Sequence, residues 1–329
     1  MGAARRSPRN GVAAAMSIAM IFPGQGSQKP GMGRALAEDE PAASEVFAEI
    51  DEALGESLSK TLWEGSAEEL TMTRVAQPGL MAVSLASFRA LVSRLGALPD
   101  SVRFFAGHSL GEYSALAAAD SLDLADAARL LRRRAEAMQR AVPPGEGAMA
   151  AVIGLDAQQL KDVTEEASGG DICQIANDNG GGQIVISGHK QAVDRAMALA
   201  TEKGAKRVIP LSVSAPFHSA LMKDAALEMR EALASTDIAE PRIPVVANVT
   251  GLPHGDPESI RASLVAQITG TVRWRESILW LADQGVDHFI EVGAGKVLTG
   301  LVKRIVPEAR AVSAGTPVEI DALAQMLSG

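Results

Sequence analysis

Cysteine is all but absent from this chain: Cys173 is the only one among 329 residues, so no intramolecular disulfide can form and no multi-cysteine metal site exists. That single thiol points to a reducing compartment, the cytoplasm. Aromatic residues make up only 3% of the chain, so the core must rest on Leu, Val, Ile, Ala and Met, and few platforms remain for stacking the bases of a single strand. Positive charge is in deficit too. The net charge of -9 disfavours nucleic acid and anionic membrane as partners of the whole surface and leaves local basic patches to be argued one by one. No run of about 18 apolar residues is present to suggest a membrane span. The first fifteen residues, with Arg5, Arg6, Pro8, Arg9 and Asn10 ahead of Ala13, lack the long apolar stretch of a secretory signal. A strand-like run from Ser17 follows Met16 directly, so residues 1–15 are expected to be a disordered extension or the product of an upstream start. An organelle transit peptide is the minority alternative for this Arg-rich, acid-free stretch.

What the chain does have is 47% apolar and 22% charged residues, enough for a folded, soluble protein with a sizeable core. The run Ile18-Ala19-Met20-Ile21-Phe22, closed by Pro23-Gly24, predicts a buried strand ending in a loop. Helical periodicity follows from Glu38 to Leu54 and from Gln77 to Leu95, the latter placing Leu80, Val83, Leu91 and Leu95 on one face to cover a sheet. Val102 to Ala106 reads as a second strand, and Glu112 to Ala119 as a helix. From Gly147 to Val213 the spacing predicts strands over 148–154, 172–177, 183–187 and 206–213, with helices over 156–168 and 189–203. The order βαββαβ is the ferredoxin-like pattern, entered through Pro143-Pro144-Gly145. Lys223 to Leu233 then looks helical, and Pro244 to Asn248 and Val286 to Val292 look strand-like. The expected fold is α/β: a large α/β-hydrolase-like domain over 16–142 and 214–329, with an inserted ferredoxin-like subdomain over 143–213.

The chemistry centres on Gly107-His108-Ser109-Leu110-Gly111, a G-x-S-x-G pattern at the end of one strand and the start of a helix. Two glycines allow the sharp turn that projects a serine hydroxyl, making Ser109 the candidate nucleophile. The helix start beyond it aims free N–H groups at a developing oxyanion, with Leu110 N–H the natural donor. A serine needs a base, and five histidines are present. His108 should point away from its neighbour, and His189, His254 and His288 fall in helix, loop and strand contexts. His218, in Ala215-Pro216-Phe217-His218-Ser219, lies where the chain returns to the main domain and is the best candidate, although spacing alone does not bring it to Ser109. Phe22-Pro23-Gly24-Gln25-Gly26-Ser27-Gln28 is not a dinucleotide loop, since Lys29 stands where its last glycine should be. Gly293-Ala294-Gly295-Lys296 is likewise no Walker loop. The first of these loops suits a second oxyanion donor, the N–H of Gln25. Arg132-Arg133-Arg134 ends a helix rich in Leu and Ala, and one of the three facing inward would grip a substrate carboxylate through paired hydrogen bonds. Sequence alone does not choose which.

Together, Phe-Pro-Gly-Gln-Gly-Ser-Gln at 22–28 and Gly-His-Ser-Leu-Gly-Glu-Tyr at 107–113 resemble the malonyl-CoA:acyl carrier protein transacylases. Further motifs follow in order: Arg134 with Met138-Gln139, Asn177 with Gly182 to Gly188, Pro216 to Ser219, Asn248-Val249, and Glu291 to Leu298. The resemblance spans roughly 16 to 310, and several ordered motifs are far more specific than one. It implies a ping-pong reaction in which Ser109 takes malonyl from malonyl-CoA and passes it to the phosphopantetheine thiol of acyl carrier protein, with His218 as base and then acid. It further implies that Arg134 binds the malonyl carboxylate and that Gln25 and Leu110 N–H groups form the oxyanion hole. Gln267, Asn177, Asn248 and Phe217 would lie near the site, with main-chain carbonyls near Asn248 and Gln267, rather than an acid, orienting His218. Phe217 before His218 resembles the form selective against methylmalonyl. No metal and no permanently bound cofactor are implied, and the enzyme would be a cytoplasmic monomer serving fatty acid synthesis. Because the carrier is acidic, Lys206-Arg207 and Lys303-Arg304 are candidate docking points. Two other readings share these motifs. A serine hydrolase would use the same elbow and base but has no need of Arg134, and a non-catalytic scaffold has no need of Ser109, His218 or Arg134 at all. A polyketide pathway enzyme would carry every motif.

Overall fold

The computed structural model describes residues 16–328, so the extension expected over 1–15 lies outside the described residues. The chain enters through β1 (Ile18–Phe22), buried at every position. Its alternate side chains feed two different cores: Ile18, Met20 and Phe22 point to one face, and Ala19 and Ile21 to the other. An uninterrupted apolar run is what a strand covered on both faces requires. Helices α1 (Arg34–Asp39), α2 (Pro41–Leu54), α3 (Leu58–Glu64) and α4 (Ala67–Thr71) precede the long α5 (Thr73–Leu95). The single helix expected from Glu38 is interrupted at Glu40, which is extended. Pro41 disfavours helical backbone in the residue before it and starts α2 instead. The one-faced packing expected of the next helix is also corrected, for α5 is buried nearly all round from Thr73 to Leu91. It is long and apolar enough to cross a membrane, yet most of that stretch is packed inside the protein as a core helix.

After β2 (Val102–Gly107) and α6 (Gly111–Ala118), α7 (Leu124–Arg140) is capped by Asp123, whose carboxylate accepts the N–H groups of Ala125 and Asp126. The arginine triplet does not end this helix but lies inside it, so successive residues point in different directions. Then come β3 (Gly147–Ile153), α8 (Ala157–Ser168), β4 (Cys173–Asp178), β5 (Gln183–His189), α9 (Lys190–Glu202) and β6 (Arg207–Pro210). These strands form an antiparallel sheet in the order β4-β5-β3-β6, with α8 and α9 packed on one face through Leu160, Val163, Val193 and Ala196. The last strand is shorter than the 206–213 expected.

The remainder is α10 (Lys223–Ala234), β7 (Val245–Val246), α11 (Pro257–Thr269), α12 (Trp274–Asp283), β8 (His288–Val292), α13 (Val297–Ile305), β9 (Arg310–Ala314) and α14 (Pro317–Ser328). β7 is shorter than the run expected over 244–248, and β8 starts at His288 rather than Val286. A parallel sheet in the order β7-β2-β1-β8-β9 unites these strands with the first two. Loops leaving β1, β2, β7 and β8 therefore collect at its carboxyl edge, where open α/β sheets bind ligands. The antiparallel sheet is tied to this edge where the Asp178 N–H donates to Val272 O at 3.0 Å and the Val272 N–H to Ala176 O at 2.8 Å.

Candidate active site

The turn from β2 into α6 places Ser109 at φ 54°, a left-handed conformation uncommon outside glycine. The flanking glycines are required by space. A Cβ on Gly107 would lie 1.9 Å from Gly111 O, and one on Gly111 2.2 Å from Phe22 O at the end of β1. Asn248, just beyond β7, clamps the turn: its Oδ1 accepts the Ser109 N–H at 2.7 Å and its Nδ2 donates to Gly107 O at 2.7 Å. His108 points away from the hydroxyl. Its Nε2 lies 2.9 Å from Asn179 Oδ1, its ring packs on Trp274, and burial lowers its pKa.

His218 is the histidine that reaches Ser109, with Nε2 2.7 Å from Oγ. It too sits in the left-handed region, at φ 55°, in a turn closed by Ser219 Oγ donating to Pro216 O at 2.7 Å. Gln174 of β4 braces the same turn, its side chain bonding to Thr269 O at 3.2 Å and the Ala220 N–H at 3.0 Å. The second ring nitrogen, Nδ1, lies 2.8 Å from Gln267 O. A carbonyl can only accept, so Nδ1 carries the proton and Nε2 is left as the acceptor for the serine hydroxyl. Burial, reinforced by the Arg134 charge, pushes the His218 pKa down to about 3, which keeps the ring neutral near pH 7. The Asn248 carbonyl, expected to share the orienting role, instead accepts the Arg273 N–H at 2.9 Å.

The three arginines separate as their positions inside α7 dictate. Arg132 Nε donates at 3.0 Å to the Arg74 carbonyl, which Pro78 cannot serve, while its guanidinium also pairs with Glu56. Arg133 pairs with Glu228 at 3.1 Å. Arg134 turns inward and is only 1% exposed. Its Nη1 donates to Gln77 Oε1 at 2.7 Å, and its Nη2 to Gln267 Oε1 at 2.8 Å and to Ser109 Oγ at 3.1 Å. The guanidinium lies over the Tyr113 ring, whose hydroxyl burial pushes up to about 12. Burial lowers the arginine's own pKa as well. Its hydrogen bonds go to neutral oxygens, so no carboxylate contacts the guanidinium, and the nearby Glu112 acts on it only through space while the cation faces the cleft beside the hydroxyl.

That cleft has a volume of about 370 Å³, and Gln25, Leu110, Asn177 and Phe217 line it with the three residues just described. Gly24 is pressed against the elbow, a Cβ there falling 2.6 Å from His108 O, and the next residue, Gln25, lines the cleft as Leu110 does. Neither of these two N–H groups donates to a main-chain acceptor among the described residues. Lys206, Arg207, Lys303 and Arg304 are exposed and lie outside the cleft lining. Arg304 borders the glycine turn 180–182, where a Cβ on Gly181 would sit 2.7 Å from Arg304 Cβ, and Lys206 packs on Gly154, whose N–H donates to Gly182 O. Sequence reasoning assigned no role to Gln77, Asn179 or Glu112. A buried glutamine inside an apolar helix was the only sign of the first, and nothing marked the second.

The acyl transferase domain family matches residues 19–319. The chain is similar to the malonyl CoA-acyl carrier protein transacylase of Bacillus subtilis, 48% identical over 311 residues that cover 94% of this chain and 97% of the relative. It superposes on the crystal structure of acyl-carrier-protein-S-malonyltransferase from Bartonella henselae with a TM-score of 0.92 at 52% identity, covering 95% of this chain and all of the other. A malonyl-transacylase solved in complex with a holo type II PKS acyl-carrier protein gives a TM-score of 0.91 at 41% identity, over 94% of this chain and 99% of that one.

Proposed function

Because this chain belongs to the acyl transferase family, within its malonyl-CoA:acyl carrier protein transacylases, we propose that it moves malonyl from malonyl-CoA to the phosphopantetheine thiol of acyl carrier protein, supplying fatty acid elongation. The observation that carries this reading is Arg134, a buried cation without a carboxylate partner, 3.1 Å from the hydroxyl that would carry the acyl group. Malonyl places its free carboxylate one methylene from the ester carbonyl, within reach of that guanidinium, and a neutral acyl group leaves the cation unanswered. A hydrolase of simple esters has no use for such a group.

In the first half-reaction His218 Nε2 takes the Ser109 proton as Oγ attacks the thioester carbonyl, and the oxyanion rests on the Gln25 and Leu110 N–H groups. Collapse breaks the C–S bond, and His218 returns the proton to the departing CoA sulfur. In the second half-reaction the carrier thiol gives His218 its proton and attacks the malonyl ester; collapse breaks the bond to Ser109 Oγ, and His218 returns the proton to that oxygen. Gln267 holds His218 and Arg134, Asn248 holds the elbow, and Phe217 and Asn177 shape the acyl and thiol path. Malonyl-CoA is a substrate, and no resident cofactor takes part in these steps.

We read the two sheets as an α/β-hydrolase-like domain over 16–142 and 214–329 and a ferredoxin-like insertion over 143–213, which the antiparallel strand order supports. Acyl carrier protein is the macromolecular partner, as in the complex of the structural relative, and the exposed Lys206-Arg207 and Lys303-Arg304 pairs form its docking points. A cytoplasmic monomer belongs to the same proposal. The test is intact-protein mass after mixing with malonyl-CoA, methylmalonyl-CoA or acetyl-CoA. A malonyl-sized adduct on the wild type, absent from Ser109→Ala and removed by holo carrier, is expected. An adduct that persists on Ser109→Ala, or one cleared by water as fast as it forms, would refute the transfer mechanism.

A further inference from the structure

Glu112, two residues into the elbow helix from Leu110, has a fully buried side chain. Its Oε2 accepts the Gln267 Nε2–H at 2.7 Å and the Asn248 main-chain N–H at 3.1 Å. Its Oε1 lies 2.9 Å from His254 Nε2, and His254 is buried with Nδ1 unpartnered. None of these groups touches the reacting atoms. What they fix is the orientation of one amide. Gln267 gives one Nε2 hydrogen to Glu112 and the other to Ser109 O at 3.0 Å, so its Oε1 must face Arg134 Nη2, at 2.8 Å. An amide has nearly the same shape when flipped, but here a flip would set Nε2–H against a guanidinium that only donates, and Oε1 against two acceptors. Glu112, whose Oε2 accepts from both Gln267 and Asn248, is the charged acceptor among the groups that hold this orientation.

Resting on the transacylase reading above, we propose that Glu112, braced by His254, is a positioning residue for substrate selection: it fixes the Gln267 amide and thereby aims Arg134 at the substrate carboxylate. Gln267 serves the base by a separate route. His218 is held by the Gln267 main-chain carbonyl, which a rotated side chain leaves in place. Disturbing Glu112 therefore affects recognition of the carboxylate more than activation of Ser109. This separates positioning from general damage to the fold, because malonyl uses Arg134 and acetyl does not.

The experiment is a double-mutant cycle of Glu112→Leu and Gln267→Met, with Ser109 acylation by malonyl-CoA and by acetyl-CoA followed by intact mass. Glu112→Gln is the conservative companion: its amide oxygen can still accept from Gln267 and Asn248, and His254 can shift its proton to Nδ1 and accept from the new amide. The malonyl-to-acetyl ratio is expected to fall about tenfold in Glu112→Leu, the scale of one hydrogen bond to a charged group, and to stay near wild type in Glu112→Gln. In the Gln267→Met background Glu112→Leu should have no further effect on that ratio. Equal losses for both acyl groups, or additive effects in the cycle, would overturn the proposal. A rise in the ratio would show that Glu112 acts only by opposing the Arg134 charge, and would overturn it too. A wild type that takes no malonyl on Ser109 would instead bring down the function itself, an outcome distinct from a wild type that loads and a variant that does not discriminate.

Discussion

Removing the Arg134 charge should change the acidity of His218, and the structure sets the size of the effect. Arg134 Nη2 and His218 Nε2 both contact Ser109 Oγ, at 3.1 Å and 2.7 Å, so two positive charges would stand within about 6 Å of one another if His218 were protonated. At that separation and an effective dielectric of about 20, repulsion is roughly 3 kcal/mol, or about two pH units. A cation beside a base opposes protonation, so its removal raises the pKa, from about 3 in the wild type to roughly 5 in Arg134→Met, burial still holding it below the ordinary histidine value. The rate of Ser109 sulfonylation by phenylmethylsulfonyl fluoride reads this directly, because the reagent is uncharged and needs the neutral base but not the carboxylate site. Between pH 4 and pH 8 the wild-type rate should show no acid limb near 6.5, whereas Arg134→Met should fall to about half its plateau near pH 5. A wild-type limb near 6.5 would refute the proposed neutral, buried base, and an unmoved limb in the variant would refute the electrostatic link.

Reversing Lys303 and Arg304 to Glu together should raise the apparent KM for carrier protein while leaving turnover with CoA thiols unchanged, as steady-state assays with the two acceptors would show; no change in the former removes this pair as a docking point. Gly111→Ala forces a Cβ to 2.2 Å from Phe22 O and should cost about 3 kcal/mol in urea denaturation, with a loss under about 0.5 kcal/mol refuting the close-packing argument. Phe217→Ser, by opening the wall beside His218, should raise the ratio of methylmalonyl to malonyl loading several-fold by intact mass. An unchanged ratio would mean that another residue excludes the methyl branch.

The elbow was legible because its physics is local: a strand, two glycines and a helix start must lie within a few residues of the serine, and β2, Gly107, Gly111 and α6 do. Strands buried on both faces were legible for the same reason, as in β1. Partners brought together by topology were not. That His218 rather than another histidine reaches Ser109, and that Arg134 rather than Arg132 or Arg133 turns inward, depends on how the chain returns from the antiparallel sheet and on the rotation of α7. The place of His218 where the chain returns to the main domain made it the best candidate without proving that it reaches Ser109, and motif resemblance alone supplied Arg134. Where local signals misled, a specific competitor prevailed: Pro41 split a continuous helical pattern, and tertiary burial wrapped α5 on all sides despite its one-sided periodicity. The Gln77, Glu112 and His254 contacts join residues far apart in the chain, and no local pattern encodes them.

One buried cation thus has two consequences that bear on each other. Arg134 adds to the burial that lowers the His218 pKa, and in the proposed reaction it is also the group that meets the substrate carboxylate. In the proposed reaction the negative charge of bound malonyl would offset the guanidinium, weaken the repulsion on His218 and strengthen the base. The sign follows from linkage: a neutralised neighbour favours protonation, so the His218 pKa is higher in the complex than in the free enzyme. Since kcat/KM reports the free enzyme and kcat the bound one, the acid limb of kcat for malonyl-CoA should lie above that of kcat/KM, by up to the roughly two units calculated for the bare charge. With acetyl-CoA, which brings no carboxylate, the two limbs should coincide. Coincident limbs for both substrates would show that the carboxylate does not reach Arg134, whereas a gap with malonyl alone would mean that substrate charge is read both as a binding contact and as a shift in the base.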